Sequence, residues 1–347
     1  MPLPTNTREF YYPKFGSYTN LKLREATLSS ELKPSQVLVK IHAVSLQFRD
    51  LMISHGQYST PTPEYLVPCS DMAGEVLAVG TEVTEWKAGD HVCANLLPDH
   101  LYGDASPQSV SAALGGGVNG VLTQFKIFKS TTLVAIPEHL SYEEASTLPC
   151  AALTAYNALH GPVPIKGGDT ILDQGTGGVS IFALIALACG ATVILTSSSD
   201  EKLELGKKYG ARHTINYKKT PNWEEEVMRI TKGRGVDHTV EIGGPGTFAK
   251  SMQSTRLGGW VHIIGALAKE EASSTNLIIS AIWRGLNFRG IQVGSIDLFE
   301  TMNRLIETHP DVTRPVIDKV FSFEDSIKAF EYLESQVHVG KVVIKVA

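Results

Sequence analysis

The chain has 347 residues, with 31 lysines and arginines against 36 aspartates and glutamates and a net charge of −5. That length exceeds one ordinary core, so two domains are expected, and the near balance of charge without a basic block argues against a nucleic-acid partner. No uninterrupted apolar run reaches the roughly 18 residues of a membrane helix, and the opening MPLPTNTREFYYPKF lacks a signal-like apolar core, so a soluble, cytoplasmic protein without a membrane partner is expected.

From about Pro13 to Pro137 the pattern is β-rich. QVLVKIHAVSL alternates as a strand, and AGEVLAVG and GDHVCANLL read as strands joined by a polar turn around Thr81 to Gly89. The Gly- and Ser-rich stretch from Asp99 to Gly120 reads as a loop ending in GGGVNG, after which GVLTQFKIF resumes strand character. Glu143 to Leu159 reads as a helix with Ser141 as its cap. From Gly168 onward strands and helices alternate, with strands expected at 170–174, 192–196, 213–216, 236–241, 260–264 and 288–293. The tail KVVIKVA is a last strand whose alternation suits the first domain, so the chain is expected to leave the β-rich domain, form a second one and return. The cysteines Cys69, Cys93, Cys150 and Cys189 lie far apart with no C-x-x-C pair, which suits reduced thiols.

The most informative stretch is DTILDQGTGGVSIFALIALACGATVILTSSS, from Asp169 to Ser199. A short apolar strand enters a glycine turn at Gly175, Thr176, Gly177, Gly178 and Val179. An apolar helix runs to Gly190, and a second strand ends in three serines. This order is the first β-α-β unit of a dinucleotide-binding domain. Gly175 permits the sharp turn, Gly177 lets a pyrophosphate approach the backbone, and Gly178 lets the helix start close to the sheet. The N–H groups of the first turn face the phosphates, and the helix dipole adds about 0.3–1 kcal/mol. Ser180 stands where Gly or Ala is usual. Asp173 is an oddity, a carboxylate on a strand expected to be buried on both faces.

The second strand ends at Ser197, about twenty residues beyond the turn, where NAD-binding domains carry an acid that accepts from the ribose. Ser198 follows, and Lys202 lies within one helical turn. An acid 4 Å from a 2′-phosphate would repel it by about 4 kcal/mol at an effective dielectric near 20. Its absence favours NADP(H). Asp200 is the counter-argument, although the start of the next helix suits a carboxylate. The serines can also serve simply as helix caps.

With its β-rich first domain, this glycine turn and the GKVV tail, the chain resembles the medium-chain dehydrogenase/reductase superfamily over nearly its whole length. SDMAGEVLAVG, WKAGDHV, GVLTQF, LPCAALTAYNAL, GTGGVS, EIGGPGT and VGKVVI carry the resemblance. It implies an α/β protein with a GroES-like catalytic domain at 1–137, completed by 308–347, and a Rossmann NADP-binding domain at 138–307. Zinc alcohol dehydrogenases of that superfamily carry a Cys before a His-Thr-Asp run, a Gly-His-Glu turn and a later Cys. The matching positions here are Gln47, Ser70 and Cys150. Zinc favours Cys, His and carboxylate ligands, so no metal is expected. The Asp99–Gly120 loop also lacks the cysteines of a structural zinc lobe.

What remains resembles the zinc-free quinone oxidoreductase and enoyl reductase branch. There Gln47 and Asp50 take the places of an Asn-x-x-Asp motif, and Gln47 can hydrogen-bond a substrate carbonyl. Arg49 either faces the cleft, where it would stabilise an enolate, or points outward as a surface charge, which is the expectation. Tyr58 matches a tyrosine lining the family's cleft and either donates a proton or packs. The resemblance also implies cofactor contacts from Cys150 (a small buried neighbour, not a nucleophile), Thr154, Tyr217, Gly243, Gly244, Gly265, Ala266 and Val293, with Lys341 approaching a phosphate or ribose. FRGIQVGS resembles the edge along which such enzymes form homodimers. The function implied is NADPH-dependent, zinc-independent hydride transfer to a quinone or α,β-unsaturated carbonyl substrate. The alternatives are a zinc-dependent alcohol dehydrogenase with unusual ligands and a non-catalytic NADPH-binding partner of a larger synthase.

Overall fold

The structure is a computed structural model describing residues 3–29, 31–58, 60–265 and 277–347. The chain forms two compact units, one comprising Met1–Leu153, Val293–Thr308 and Arg314–Ala347, the other Thr154–Gln292 and His309–Thr313. The expected divisions lie at 137/138 and 307/308, and the chain passes between the two units at 153/154, 292/293, 308/309 and 313/314.

The first unit opens with β1 (Asn6–Tyr11), β2 (Lys22–Thr27), β3 (Gln36–Ser45), α1 (Phe48–Ser54), β4 (Asp71–Val79) and β5 (His91–Ala94). It continues through α2 (Pro107–Ser111), β6 (Phe125–Lys129), β7 (Leu133–Ala135) and α3 (Tyr142–Ala145) to the π-helical turn Leu148–Ala152, and α4 (Leu153–Leu159) leads out. The second unit contains β8 (Thr170–Gln174), α5 (Gly178–Ala183), a 3-10 turn (Leu184–Cys189), β9 (Thr192–Ser197), α6 (Asp200–Lys208), β10 (His213–Asn216) and α7 (Trp223–Ile230). It ends with β11 (Val236–Glu241), α8 (Pro245–Ser254), β12 (Thr255–Ile263), α9 (Leu277–Arg284) and β13 (Asn287–Gly290). The chain returns through α10 (Ile296–Thr308), α11 (Pro310–Thr313), β14 (Ile317–Ser322), α12 (Ser326–Glu334) and β15 (Lys341–Lys345).

Among the described residues, the first unit holds a seven-stranded sheet ordered β14-β15-β3-β4-β5-β7, with β6 also paired to β3, and the two-stranded ribbon β1-β2. This is the GroES-like β domain, and the tail strand β15 pairs antiparallel with β3, as its alternation suggested. Its core gathers Val37, Val39, Ile41, Met72, Phe330 and Ile344, all fully buried. Each such aliphatic side chain contributes roughly 1.5–3 kcal/mol by leaving water.

The second unit holds a parallel sheet ordered β10-β9-β8-β11-β12-β13. That is the order of the doubly wound Rossmann sheet, with the reversal between β8 and β11. Ile171, Leu172, Val193, Ile194 and Leu195 are all fully buried, as strands covered on both faces require. Among the described residues no helix is long and apolar enough to cross a membrane.

Some elements differ from expectation. The helix read across Glu143 to Leu159 is α3, the π-helical turn and α4, because Pro149 has no N–H to donate within it. The strand expected at 260–264 begins at Thr255, before Gly258 and Gly259. The strand expected at 288–293 ends at Gly290, and Val293 then takes a φ of 42° that no strand accommodates.

Candidate active site

In the second unit, Gly175 leaves β8 with a φ of 81°, and its N–H donates to the Thr196 carbonyl at 2.8 Å. Gly177 is extended at the head of α5, and a Cβ there would meet nothing within 4 Å. Ser180 donates to the Gln174 carbonyl at 2.6 Å, which ties the helix to the end of the strand and accounts for Ser at that position. Thr176 is buried and Val179 half-buried beside this turn.

At the end of β9, Ser197 is buried and its hydroxyl accepts from the Ser199 N–H at 3.5 Å. Ser199 accepts from the Lys202 N–H at 3.4 Å, so it is the serine that caps α6. Ser198 and Lys202 are half-buried, and Tyr217 is exposed. The Asp200 carboxylate is taken up by Lys219 and by the Asn216 amide, the latter at 2.7 Å, and Lys219 holds it below the usual carboxylate range.

In the first unit, Gln47 precedes α1, and its N–H donates to Asp50 Oδ2 at 2.8 Å. The Gln47 side-chain amide donates to Asp71 Oδ2. Ser70 donates to Asp71 Oδ1 at 2.8 Å, and the Cys150 N–H donates to Oδ2 at 3.1 Å. Burial pushes the Asp71 carboxyl up to about 7 against the pull of Lys341 and Ser70, and burial with the Asp71 charge pushes the Cys150 thiol up to about 12. Cys69, just before this pair, is held at a φ of 68°, with Gly115 and Gly120 packed against its backbone.

Arg49 corrects an expectation. Its side chain is only 12% exposed, not a surface charge. Its Nε donates to the Tyr58 hydroxyl at 3.4 Å, its Nη1 to the Leu114 carbonyl at 3.0 Å, and the guanidinium lies 5.1 Å from the Tyr58 ring centre. A phenol, a carbonyl and the Asp50 carboxylate at 3.5 Å compensate the burial of the charge. Lys341 lies in the first unit. The ammonium expected near a phosphate or ribose is buried and donates to the Leu46 carbonyl at 2.5 Å, with the charges of Asp71 and Asp50 nearby.

Thr154 is buried in α4, and Val293 packs with Cys150 on the small cluster of Leu96, Leu97 and Ala113. A side chain on Gly243 would strike Thr247, and one on Gly265 would strike the Ile242 carbonyl, so both glycines are required by the chain's own packing. Ala266 lies outside the described residues.

The donor set does not fit a catalytic zinc. The Gln47 amide and the Ser70 hydroxyl are neutral groups both committed to Asp71, which leaves Cys150 as the one zinc-binding side chain of the three positions. Among the described residues no three His, Cys, Asp or Glu side chains gather where they could hold a metal ion. The open space at Gly177, by contrast, fits a pyrophosphate at the head of α5.

Residues 33–138 match the alcohol dehydrogenase GroES-like domain, and residues 178–308 match the zinc-binding dehydrogenase family. A zinc-type alcohol dehydrogenase-like protein of Schizosaccharomyces pombe is 42% identical over 344 residues, covering 98% of this chain and 99% of that protein. The chain belongs to the medium-chain dehydrogenase/reductase superfamily. An NADPH-dependent alkenal/one oxidoreductase of Arabidopsis thaliana is 28% identical, covering 99% of this chain and 80% of that protein. The crystal structure of a putative alcohol dehydrogenase from Sinorhizobium meliloti superposes with a TM-score of 0.91 at 34% identity, covering 99% of this chain and all of that one. Relatives of this medium-chain dehydrogenase/reductase include quinone and enone oxidoreductases. It is an oxidoreductase of the medium-chain dehydrogenase/reductase type, with a Rossmann domain for a nicotinamide cofactor.

Sequence reasoning missed two residues of this medium-chain dehydrogenase/reductase that shape its cofactor domain. Glu241, fully buried at the end of β11, accepts from the Gly244 N–H at 2.7 Å, Thr247 at 2.5 Å, Gln174 at 2.9 Å and Ser251. Gln174 Oε1 accepts from the N–H groups of Ile242 and Gly243 at 3.2 and 3.3 Å. Together they fix the turn after β11. The available signal was a long polar residue closing each of two strands that are otherwise covered on both faces.

Proposed function

We propose that this enzyme reduces quinones or α,β-unsaturated ketones and aldehydes with NADPH and without a metal. The observation that carries the reading is the fate of the zinc-ligand positions, two of which are now an amide and a hydroxyl bound to a buried carboxylate. A site without a Lewis acid must stabilise a developing oxyanion with hydrogen-bond donors, and each such donor is worth roughly 10²–10³ in rate. Arg49, Tyr58 and the second N–H of Gln47 are the donors of this chain suited to that role. A carbonyl conjugated to a carbon–carbon double bond spreads its charge as the β-carbon is attacked. It therefore needs less polarisation than a simple aldehyde.

Bound NADPH supplies the hydride, and a proton completes the reduction of the double bond. Tyr58 is the residue of this set able to give that proton. NADPH is preferred over NADH because no acid stands at Ser197 and Asp200 is engaged by Lys219 and Asn216, leaving Ser197, Ser198, Lys202 and Tyr217 to meet a 2′-phosphate. Gly175, Thr176, Gly177, Gly178 and Val179 would cradle the pyrophosphate, while Cys150, Thr154, Gly243, Gly265, Ala266 and Val293 border the rest of the cofactor. The working form in this reading is a homodimer.

The test mixes chelator-treated protein with NADPH or NADH and a panel of quinones and enones, and follows cofactor oxidation. Turnover with NADPH that survives removal of metal is expected. One tightly held zinc per chain, required for activity, would overturn the metal-free reading.

A further inference from the structure

Three glycines stand in a row at 115–117, for different reasons. Gly115 has a φ of 63° and lies against the backbone of Cys69, while a side chain on Gly117 would run into the Ser111 carbonyl. The backbone itself demands both. Gly116 is not among the glycines with positive φ. A Cβ on it would lie 2.6 Å from Arg49 Nη2 and 3.3 Å from Tyr58 Cε1, with its nearest backbone neighbour, the Ala113 carbonyl oxygen, at 3.7 Å. What Gly116 keeps clear is the end of the Arg49 guanidinium.

That guanidinium is incompletely satisfied. Nε and Nη1 have acceptors in Tyr58 and Leu114, whereas Nη2 is buried without a hydrogen-bond partner. An unmet buried donor is destabilising, and more so on a charged group. Asp50 Oδ1, 3.5 Å from Nη1, offsets the charge and gives Nη2 no acceptor. An acceptor carrying full or developing negative charge would meet this donor best.

We propose that Arg49 Nη2, with Gly116 against it and the Tyr58 hydroxyl alongside, forms an oxyanion subsite for the oxygen of the carbonyl under reduction, and that Gly116 is the residue setting its specificity. The proposal rests on the reductase reading above and deepens it. Guanidinium stays charged at every working pH, so the subsite needs no metal. Any side chain at position 116 displaces the guanidinium and narrows the room for the substrate's oxygen.

Gly116→Ala is the main test, because the backbone permits alanine there and the atom it meets is the far end of a flexible side chain. It is expected to fold with an unchanged thermal midpoint and unchanged NADPH affinity, and to lose about 10²-fold or more in kcat on the best substrate of the panel. Arg49→Gln is expected to lose a comparable factor. The double variant should lose little beyond Arg49→Gln alone, since one interaction is removed twice. Wild-type kcat/KM in Gly116→Ala, or losses that multiply in the double variant, would overturn the subsite while leaving the reductase reading intact. A second arm does not depend on turnover. Crystals grown in bromide are expected to show an anomalous peak beside Nη2 in the wild type and none in Gly116→Ala. No peak in the wild type counts against the subsite. A peak in a protein inert to the whole panel would show an anion site at Nη2 but sink the reductase reading, and with it the assignment of that site to a substrate carbonyl.

Discussion

Asp173 is fully buried on β8, and neither of its carboxylate oxygens has a hydrogen-bond partner. Burial pushes its pKa well above the usual carboxylate range, against the smaller pull of the Gln174 backbone. In the unfolded chain it ionises near pH 4. The folded state therefore binds the proton more tightly, and the stability this group allows is complete below about pH 4 and declines as pH rises. Asp173→Val removes the decline. Urea unfolding at pH 8 is expected to find the variant about 1–3 kcal/mol more stable than the wild type, with the difference shrinking toward pH 4. A variant less stable at pH 8 would show that Asp173 has a partner the structure does not reveal. Asp237 titrates with the opposite sign. It accepts two bonds from Arg234 at 2.6 and 2.9 Å, one from Arg256 at 2.6 Å and one from the Thr170 N–H at 2.9 Å, and these hold its carboxyl far below the usual range. Its contribution is present above about pH 4 and is lost as the pH falls through the depressed value. Asp237→Asn should cost about 1–3 kcal/mol at neutral pH, discounted for the partly exposed arginines, and should lessen the acid sensitivity of unfolding.

The β8–turn–α5 element allows a cleaner separation of folding from binding. Gly175, with its φ of 81°, is needed by the turn, and alanine there should cost about 1 kcal/mol of stability as well as affinity. Gly177 is at a φ of −75° with open space around its missing Cβ. Gly177→Ala is therefore expected to keep the wild-type melting temperature and to weaken NADPH binding at least 10-fold in a fluorescence titration. Retained affinity would mean that the pyrophosphate lies elsewhere. This element was readable from sequence because turn chemistry and apolar runs are local. Strands β8, β10 and β11 fell where the pattern put them, whereas β12 begins five residues before the expected strand, ahead of a Gly-Gly pair that local propensity counts against a strand. The candidate site was legible in part. Gln47 and Tyr58 came from motif position, but the direction of Arg49 depended on the Leu114 carbonyl, 65 residues away in sequence. Likewise Asp71 and Lys341 belong to one buried group only through tertiary pairing that no periodicity records.

At the scale of the whole molecule, the nucleotide-binding unit exposes several large apolar side chains. On α9, Ile278 is 72% exposed, Ile282 69% and Trp283 81%. Leu257 on β12 is exposed as well, and among the described residues the neighbouring β13 ends the strand order of the parallel sheet. An edge strand beside exposed isoleucines and a tryptophan invites pairing or aggregation unless it is covered. A second copy meets both needs at once, because a two-fold axis brings β13 against β13 and α9 against α9. Ile282→Glu combined with Trp283→Ala is therefore expected to convert a dimer into a monomer in sedimentation velocity. Binding of NADPH should persist, since the glycine turn and the end of β9 lie on other strands of the sheet. A wild-type chain that sediments as a monomer at micromolar concentration would remove the argument. A double variant that remains dimeric would move the interface to another face.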